Sequence, residues 1–226
     1  MIVGEKMKFL TEPMHSYYIE KYSIQSLFSF PVTPFIQVCQ FERGEFIYKE
    51  GSYPQYIYYL VKGKAKLYVT HENGKVSLIN FLQAPTFMGE VELLNSERYS
   101  KAIQTVTKTI CLAIPINPCK NKLLTDVTFL RHLCSFLSEK ATRISAKYTQ
   151  NQAYPLENRL AAFIMLSADG KFYKEKHTEV CEYLGVSYRH LLHVLAQLCK
   201  TNIIEKQSRG YIIRDKERLE KLAKLN

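Results

Sequence analysis

Long apolar runs are missing from this chain of 226 residues. No stretch of about 20 residues is apolar throughout, as a membrane-spanning helix requires, and even the uncharged residues 22–41 contain Pro31, Pro34 and several Ser and Gln residues. The N-terminal residues include Glu5, Lys6 and Lys8 and have no apolar centre, which argues against a secretory signal. We therefore expect a cytoplasmic protein that has no membrane partner.

Closely spaced cysteine pairs are also missing. The six cysteines form no C-x-x-C pair, whereas zinc and iron–sulfur sites usually show tight pairs. We expect buried free thiols in a reducing compartment, no bound metal and no other cofactor. A looser thiol sensor built from Cys111, Cys119 or Cys134 is the alternative.

The usual signs of catalysis are lacking too. In the strand-forming region His71, beside a turn, is the one histidine, whereas a metal-dependent cupin draws several histidines and a glutamate from adjacent strands. The sequence shows no nucleophile–base pair and no phosphate-binding loop. We therefore expect no catalytic residues and no enzyme activity.

Basic residues are in excess. The formal net charge is +10, and residues 155–226 hold 13 Lys and Arg against 9 Asp and Glu. Such a balance suits a polyanionic partner, although it says nothing about the fold. The apolar fraction of 46% is enough for a packed core.

The hydrophobic period changes along the chain. Residues 14–30 are predicted to form an amphipathic helix that ends at Pro31. An alternating pattern then predicts strands at 36–41, 45–49, 56–62, 64–70, 76–82, 101–106 and 109–113. Asn73-Gly74 favours a type I′ hairpin turn, in which both central residues have positive φ. Short strands at this spacing indicate a sandwich or a barrel.

The chain turns helical after Pro118. An apolar stripe with steps of three and four residues predicts a seam along which two parallel helices meet. Its members are Leu130, Leu133, Leu137, Ala141, Ile144 and Tyr148. The alternative is that the stripe packs on the chain's own core.

Three parts follow from these patterns. Residues 1–118 are expected to form a helix and a β-rich domain, residues 119–154 a long dimerisation helix and a polar hinge, and residues 155–226 a C-terminal domain. In that last part, we predict a short helix over residues 178–184 and a tight turn at Gly185. Ser187 is predicted to be the N-cap of a second helix over residues 188–200. A hairpin follows. This is the arrangement of a winged helix-turn-helix, whose second helix enters the major groove of DNA.

The whole arrangement resembles the CRP/FNR family of bacterial transcription regulators. Residues 41–45 (FERGE) resemble that family's turn before its second strand, and Gly51, Tyr59 and Gly63 match the next part of its jelly roll. Residues 87–90 (FMGE) resemble the loop that holds the family's effector pocket. The resemblance implies an α+β protein with an N-terminal jelly roll like a cyclic-nucleotide-binding domain, a long dimerisation helix and a C-terminal winged helix-turn-helix.

The resemblance also implies roles for the second helix. A homodimer is expected to read double-stranded DNA, with Arg189 pairing with a guanine through its two-pronged donor. Tyr188 and His193 are expected to reach base edges or phosphates. Ser187, His190 and Lys206 are expected to contact the phosphate backbone. A solvated charge is the alternative for Arg189, and a side chain that covers the turn is the alternative for His190.

An effector pocket is a further implication, at Gly89, Glu90 and Arg98. The sequence departs from the cyclic-nucleotide-binding pattern, because Glu92 stands where a small residue belongs and Tyr99 follows the arginine. A carboxylate near a phosphate site costs affinity. Residues 1–38 contain no cysteine, so the N-terminal iron–sulfur cluster of some family members is not expected.

The predicted function is therefore a dimeric, DNA-binding transcription regulator that is tuned through its jelly roll by an unknown signal. The resemblance adds RNA polymerase as a partner. The alternative function is a sensor or scaffold with a cyclic-nucleotide-binding fold that acts through protein contacts.

Overall fold

The computed structural model describes residues 7–74, 76–95 and 99–224, with the backbone alone at Lys147 and Asn151. The chain divides into two compact units, residues 1–139 and residues 140–226. The long helix α4 (Val127–Ala153) carries the boundary between them. The segment 149–154 is predicted as a polar hinge, and its residues 149–153 are instead helical.

The first unit is a jelly roll made of two antiparallel sheets. Its strands are β1 (Lys8–Phe9), β2 (Gln37–Phe41), β3 (Phe46–Tyr48), β4 (Tyr56–Lys62), β5 (Lys64–Thr70), β6 (Val76–Gln83), β7 (Thr86–Met88), β8 (Ala102–Thr105) and β9 (Thr109–Pro115). The sheet orders are β1-β2-β9-β4-β7 and β3-β8-β5-β6. The helices of this unit are α1 (Met14–Tyr22), α2 (Glu90–Leu94), α3 (Ile116–Thr125) and the first part of α4, with 3₁₀ turns at Ile24–Leu27 and Thr33–Phe35. The helix predicted over 14–30 therefore ends at Tyr22.

Strand β9 is buried on both sides of its sheet, and successive residues of a strand point to opposite sides. Leu112 of β9 belongs to one cluster together with Tyr18 of α1 and Phe129 of α4. The adjacent residues Cys111 and Ala113 belong to a second cluster, which contains residues of both sheets. This explains why β9 is apolar almost throughout.

The β5–β6 hairpin differs from the prediction. Gly74 has a φ of +76°, but Asn73 is not among the residues with positive φ, so the turn is not type I′. The Gly74 N–H donates to the His71 carbonyl oxygen at 2.8 Å, and strand pairing resumes with Thr70 opposite Val76. A five-residue connection of this kind has room for an ordinary turn closed by one left-handed glycine.

The second unit holds a helical bundle with a small sheet. Its elements after α4 are α5 (Leu156–Ser167), β10 (Phe172–Tyr173), α6 (His177–Leu184), α7 (Tyr188–Lys200), β11 (Ile204–Gln207), β12 (Gly210–Ile213) and α8 (Lys216–Ala223). The sheet order is β10-β12-β11. The β11–β12 hairpin is the predicted wing, and Gln207 pairs with Gly210 across its tip. None of the helices in the described ranges combines the length and the apolar character that a membrane crossing requires.

Candidate nucleic-acid interface

The turn between α6 and α7 is built by its backbone. Gly185 ends α6 in the left-handed conformation, with a φ of +64°. The Val186 N–H donates to the Cys181 carbonyl oxygen at 3.0 Å and the Gly185 N–H to that of Glu182 at 3.3 Å. These two bonds form a Schellman motif, which satisfies the last carbonyl groups of α6. The predicted tight turn is present at Gly185.

Ser187 caps the next helix. Its Oγ accepts a hydrogen bond from the His190 N–H at 3.3 Å, which fixes the direction in which α7 leaves the turn. Arg159 of α5 supports the same turn, because its guanidinium donates to the Leu184 carbonyl oxygen at 2.7 Å and to that of Tyr154 at 3.1 Å. No pattern in the sequence indicated this role for Arg159.

Helix α7 has one buried face and one exposed face. The buried face consists of Leu191, Val194, Leu195 and Leu198. Tyr188 is 52% exposed, and Arg189, His190 and His193 are exposed as well. Side chains at the start of α7 therefore extend into solvent, as direct reading of a DNA groove requires.

The wing and the starts of α6 and α7 enclose an open groove, here called the wing groove, of about 550 Å³. It is lined by Lys174, Glu175, Lys176, His177, Thr178, Tyr188, Lys206, Gln207, Ser208, Arg209, Gly210 and Tyr211. The ring of His177 lies 5.9 Å from the Tyr188 ring and 6.2 Å from the Tyr211 ring, measured between centroids. Burial and the nearby charge of Lys206 lower the pKa of His177. Sequence reasoning identified Tyr188 and Lys206 but missed His177.

The predicted effector loop lies in the first unit. Gly89 has a φ of +89°, and Glu90 begins α2 with only 2% of its surface exposed. Arg98, the third predicted pocket residue, lies outside the described residues. The structure therefore shows Glu90 buried beside Gly89 at the start of α2 and leaves the pairing with Arg98 a prediction.

The side chain of Tyr48 occupies the space above this loop. Its hydroxyl shares its one proton between the Tyr56 carbonyl oxygen at 2.6 Å and the Met88 carbonyl oxygen at 3.1 Å. A Cβ added to Gly89 would collide with that hydroxyl. Burial, Tyr58 and the carboxylates of α2 raise the pKa of Tyr48 well above its usual range. The loop thus faces a neutral phenol of its own chain and two nearby carboxylates, which is a poor environment for a cyclic phosphate.

The apolar stripe on α4 divides into two parts. Leu133 is 1% exposed and belongs to the core of the first unit, against which Leu137 also packs. Ile144 and Tyr148 are 57% and 66% exposed, and Ala141 is exposed as well. Leu133 is therefore a core residue and does not face a second helix.

Cys134 takes the place of Leu133 in the stripe. It is exposed, and it lies four residues after Leu130 and three before Leu137. The corrected stripe is Leu130, Cys134, Leu137, Ala141, Ile144 and Tyr148, which keeps a strict alternation of four and three residues. That alternation is the pattern of a left-handed two-helix seam.

Among the residues that the structure describes, His, Cys, Asp and Glu side chains form no cluster of three or more that could hold a metal ion. Cys39, Cys111 and Cys119 are buried. Burial raises the pKa of the Cys111 and Cys119 thiols, which keeps them protonated and unreactive.

Two family models match the chain. One is described as a cyclic nucleotide-binding domain and matches residues 38–126. The other is described as a Crp-like helix-turn-helix domain and matches residues 158–222. The two matches fall on the jelly roll and on the unit that carries α6, α7 and the wing.

Named relatives agree with both matches. The regulatory protein YeiL of Escherichia coli O157:H7 is 48% identical over 179 residues, which cover 79% of this chain and 82% of YeiL. The global nitrogen regulator of Synechococcus elongatus is 23% identical over 181 residues, covering 75% of this chain and 82% of that protein. A crystal structure of a CRP-family transcriptional regulator from Thermus thermophilus superposes with a TM-score of 0.63 at 20% identity, covering 81% and 95% of the two chains.

Proposed function

Since this chain belongs to the CRP/FNR family of transcription regulators and carries that family's helix-turn-helix domain, we propose that it works as a homodimer that reads one double-stranded DNA site. The observation that carries the proposal is the exposure of the first turns of α7 on a helix whose opposite face is fully packed. Each subunit presents one α7 to the major groove. The two half-sites lie about one helical turn, roughly 34–36 Å, apart.

The corrected stripe on α4 supports the dimer. Ile144 and Tyr148 expose large apolar surfaces at heptad spacing, which a second copy of the same helix can cover. A parallel arrangement brings each residue opposite its own counterpart, which gives the two-fold symmetry that a palindromic site requires. We place the seam at Leu130, Cys134, Leu137, Ala141, Ile144 and Tyr148.

The proposed DNA contacts fall into two classes. Arg189 reads a guanine, because its exposed guanidinium can donate two parallel hydrogen bonds to O6 and N7. Tyr188 and His193 lie on the same helix and contact base edges or neighbouring phosphates. Ser187, His190 and Lys206 contact the phosphate backbone and set the register on the duplex.

The signal that tunes the regulator enters through the jelly roll and is not a cyclic nucleotide. The buried phenol of Tyr48 stands over Gly89, and the Glu92 carboxylate lies close enough to affect its pKa. Titration with cyclic AMP should therefore produce no heat of binding, and saturable binding would contradict this part of the proposal. We place the regulator in the cytoplasm with the chromosome, and RNA polymerase is its proposed protein partner.

The test is selection of duplexes from a random-sequence pool, followed by fluorescence anisotropy at several salt concentrations. A regulator that contacts phosphates loses affinity steeply as salt rises, because counterions are released on binding. Arg189→Ala should weaken binding to the selected duplex by about 1–3 kcal/mol and leave binding to unrelated duplexes nearly unchanged. Lys221→Ala, which removes an exposed basic side chain of α8, is the matched control.

Two outcomes would contradict the assignment. An equal loss on both kinds of duplex would make Arg189 a phosphate contact. Absence of salt-dependent binding to every duplex would favour the alternative function, in which the chain is a sensor or scaffold that acts through protein contacts.

A further inference from the structure

The wing groove combines aromatic rings with basic side chains. His177 is half-buried at the start of α6, and its ring packs near the rings of Tyr188 and Tyr211, at centroid distances of 5.9 and 6.2 Å. Tyr211 is only 7% exposed, so it forms part of the floor, whereas Tyr188 is 52% exposed and stands at the rim. The imidazole is therefore held in place by packing and still borders a space that is open to solvent.

The charge of the groove favours an anion. Its lining includes four permanently basic side chains, those of Lys174, Lys176, Lys206 and Arg209, and one carboxylate, that of Glu175. Lys176 also lies 3.8 Å from the Glu179 carboxylate, so part of its charge is balanced. The excess is still positive, and a phosphate oxygen that enters the groove meets charged donors.

The identity of the anion follows from the residues that border the groove. Tyr188 begins α7 and Lys206 lies on the wing, and both belong to the proposed DNA contacts. A duplex that touches both of them carries its backbone across the mouth of the groove, next to His177. The anion that the groove receives is then a phosphate of that duplex.

We propose that the wing groove binds one backbone phosphate of the duplex between His177 and Lys206, and that His177 takes up a proton from solvent as the phosphate arrives. The inference rests on the proposed function. It adds a proton-linked contact that depends on His177.

The sign of the linkage follows from the groups that face His177. In the free protein, burial and the charge of Lys206 lower the pKa of the imidazole below its ordinary value. Lys174, Lys176, Arg209 and Glu175 also line the groove, and together they add further positive charge to it. A bound phosphate adds negative charge and raises the pKa of His177. Because the bound form holds the proton more tightly, the affinity for DNA rises as pH falls.

The experiment measures duplex affinity from about pH 5.5 to about pH 8.5 at constant ionic strength, a window in which a histidine titrates. The full-length protein and a duplex of about 30 base pairs, selected by the wild-type protein from a random pool, leave room for two half-sites. Between the two ends of the window, the wild-type protein should gain about tenfold more affinity than His177→Gln, which corresponds to a pKa difference of about one unit. His190 and His193 are present in both proteins, so their contributions cancel in this comparison.

Two further variants sharpen the result. His177→Lys carries a permanent charge, so it should bind tightly at both ends of the window and lose the pH dependence that His177 confers. His71→Gln changes a histidine of the first unit, which is hydrogen-bonded to Ser77 at 2.9 Å, and should keep the wild-type pH profile. Thermal unfolding followed by circular dichroism shows that each variant is folded before its affinity is compared.

Salt dependence gives a second readout. At the acid end, His177→Gln should reduce the slope of log K against log salt by about 0.9 per lost phosphate contact, and at the alkaline end its slope should equal that of the wild-type protein. If the wild-type protein and His177→Gln both bind DNA with the same pH profile, this inference is overturned and the proposed function still stands. Failure of the wild-type protein to bind any duplex would overturn the proposed function together with it.

Discussion

The proposed dimer seam is tested most directly at Ile144. Each copy exposes 57% of this side chain. That fraction is roughly 100 Å², so a symmetric seam removes about 200 Å² of apolar surface from water at this position, worth about 5 kcal/mol as an upper estimate at about 25 cal/mol per Å². Ile144→Asp removes this gain and places two carboxylates opposite each other.

The loss should appear in sedimentation velocity. Because about 5 kcal/mol is an upper estimate, we take a loss of about 4 kcal/mol, which raises the dimer dissociation constant by about a thousandfold. Ile144→Asp should therefore sediment as a monomer at concentrations where the wild-type protein is a dimer. Ala146→Asp is the matched control, because Ala146 is exposed on the same helix turn and lies on the side away from the stripe. It should remain a dimer.

Chemical cross-linking gives independent support. Cys134 lies on the stripe, and a parallel seam brings it opposite its counterpart, so mild oxidation should link two wild-type chains and should not link Cys134→Ser chains. Dimeric Ile144→Asp protein together with a failure of Cys134 to cross-link would show that α4 is not the seam.

Three further predictions concern stability. Asp126 accepts hydrogen bonds from the backbone N–H and the hydroxyl of Ser29 at 2.7 and 2.8 Å. Burial by itself would raise the pKa of Asp126, but the hydrogen bonds outweigh burial, so the pKa is lowered. Asp126→Ala should therefore cost about 1–3 kcal/mol at neutral pH, and the difference from wild-type protein in urea unfolding should shrink as the pH falls through the lowered pKa of Asp126, where the wild-type carboxylate takes up a proton. Gly89→Ala should lower the melting temperature of the first unit, through its positive φ and the collision with Tyr48, and adding Tyr48→Phe should restore part of the loss. Arg159→Ala should lower the melting temperature of the second unit, because two carbonyl groups near the helix-turn-helix lose a charged donor.

Much of the architecture could be predicted from local patterns. The bounds of β4 and β5 agree with the prediction, because Gly63, with a φ of +102°, separates the two strands. Strand β7 has only three residues and was missed, since so short a run shows no period. The predicted hinge 149–154 is mostly polar, yet residues 149–153 continue α4, because a solvated helix needs no apolar face.

The finer features of the interface depend on contacts between distant residues. Periodicity alone could not show whether Leu133 or Cys134 belongs to the stripe, because both lie about one helical turn from its other members. Leu133 is excluded because it packs in the core of the first unit. The packing of His177 against Tyr211 joins residues 34 positions apart, and the bond from Tyr48 to Met88 spans 40. Contacts between residues so far apart cannot be predicted from local spacing along the chain.

The division of α4 between core and seam has a consequence for DNA binding. Leu133 and Leu137 contribute to the core of the first unit, so the strongly apolar part of the stripe that is left for a partner is Ile144 and Tyr148, with the small Ala141. Association costs about 4–15 kcal/mol before any contact is made, so a seam of this size should give a dimer that dissociates in the micromolar range.

A duplex that binds two copies then drives dimerisation by mass action. Binding isotherms recorded below the dimer dissociation constant should therefore be steeper than a simple hyperbola, and the steepness should disappear in protein that has been cross-linked through Cys134. Hyperbolic isotherms at all concentrations of the uncross-linked protein would show that the seam is stronger than its exposed residues indicate, or that a single copy is enough to bind DNA.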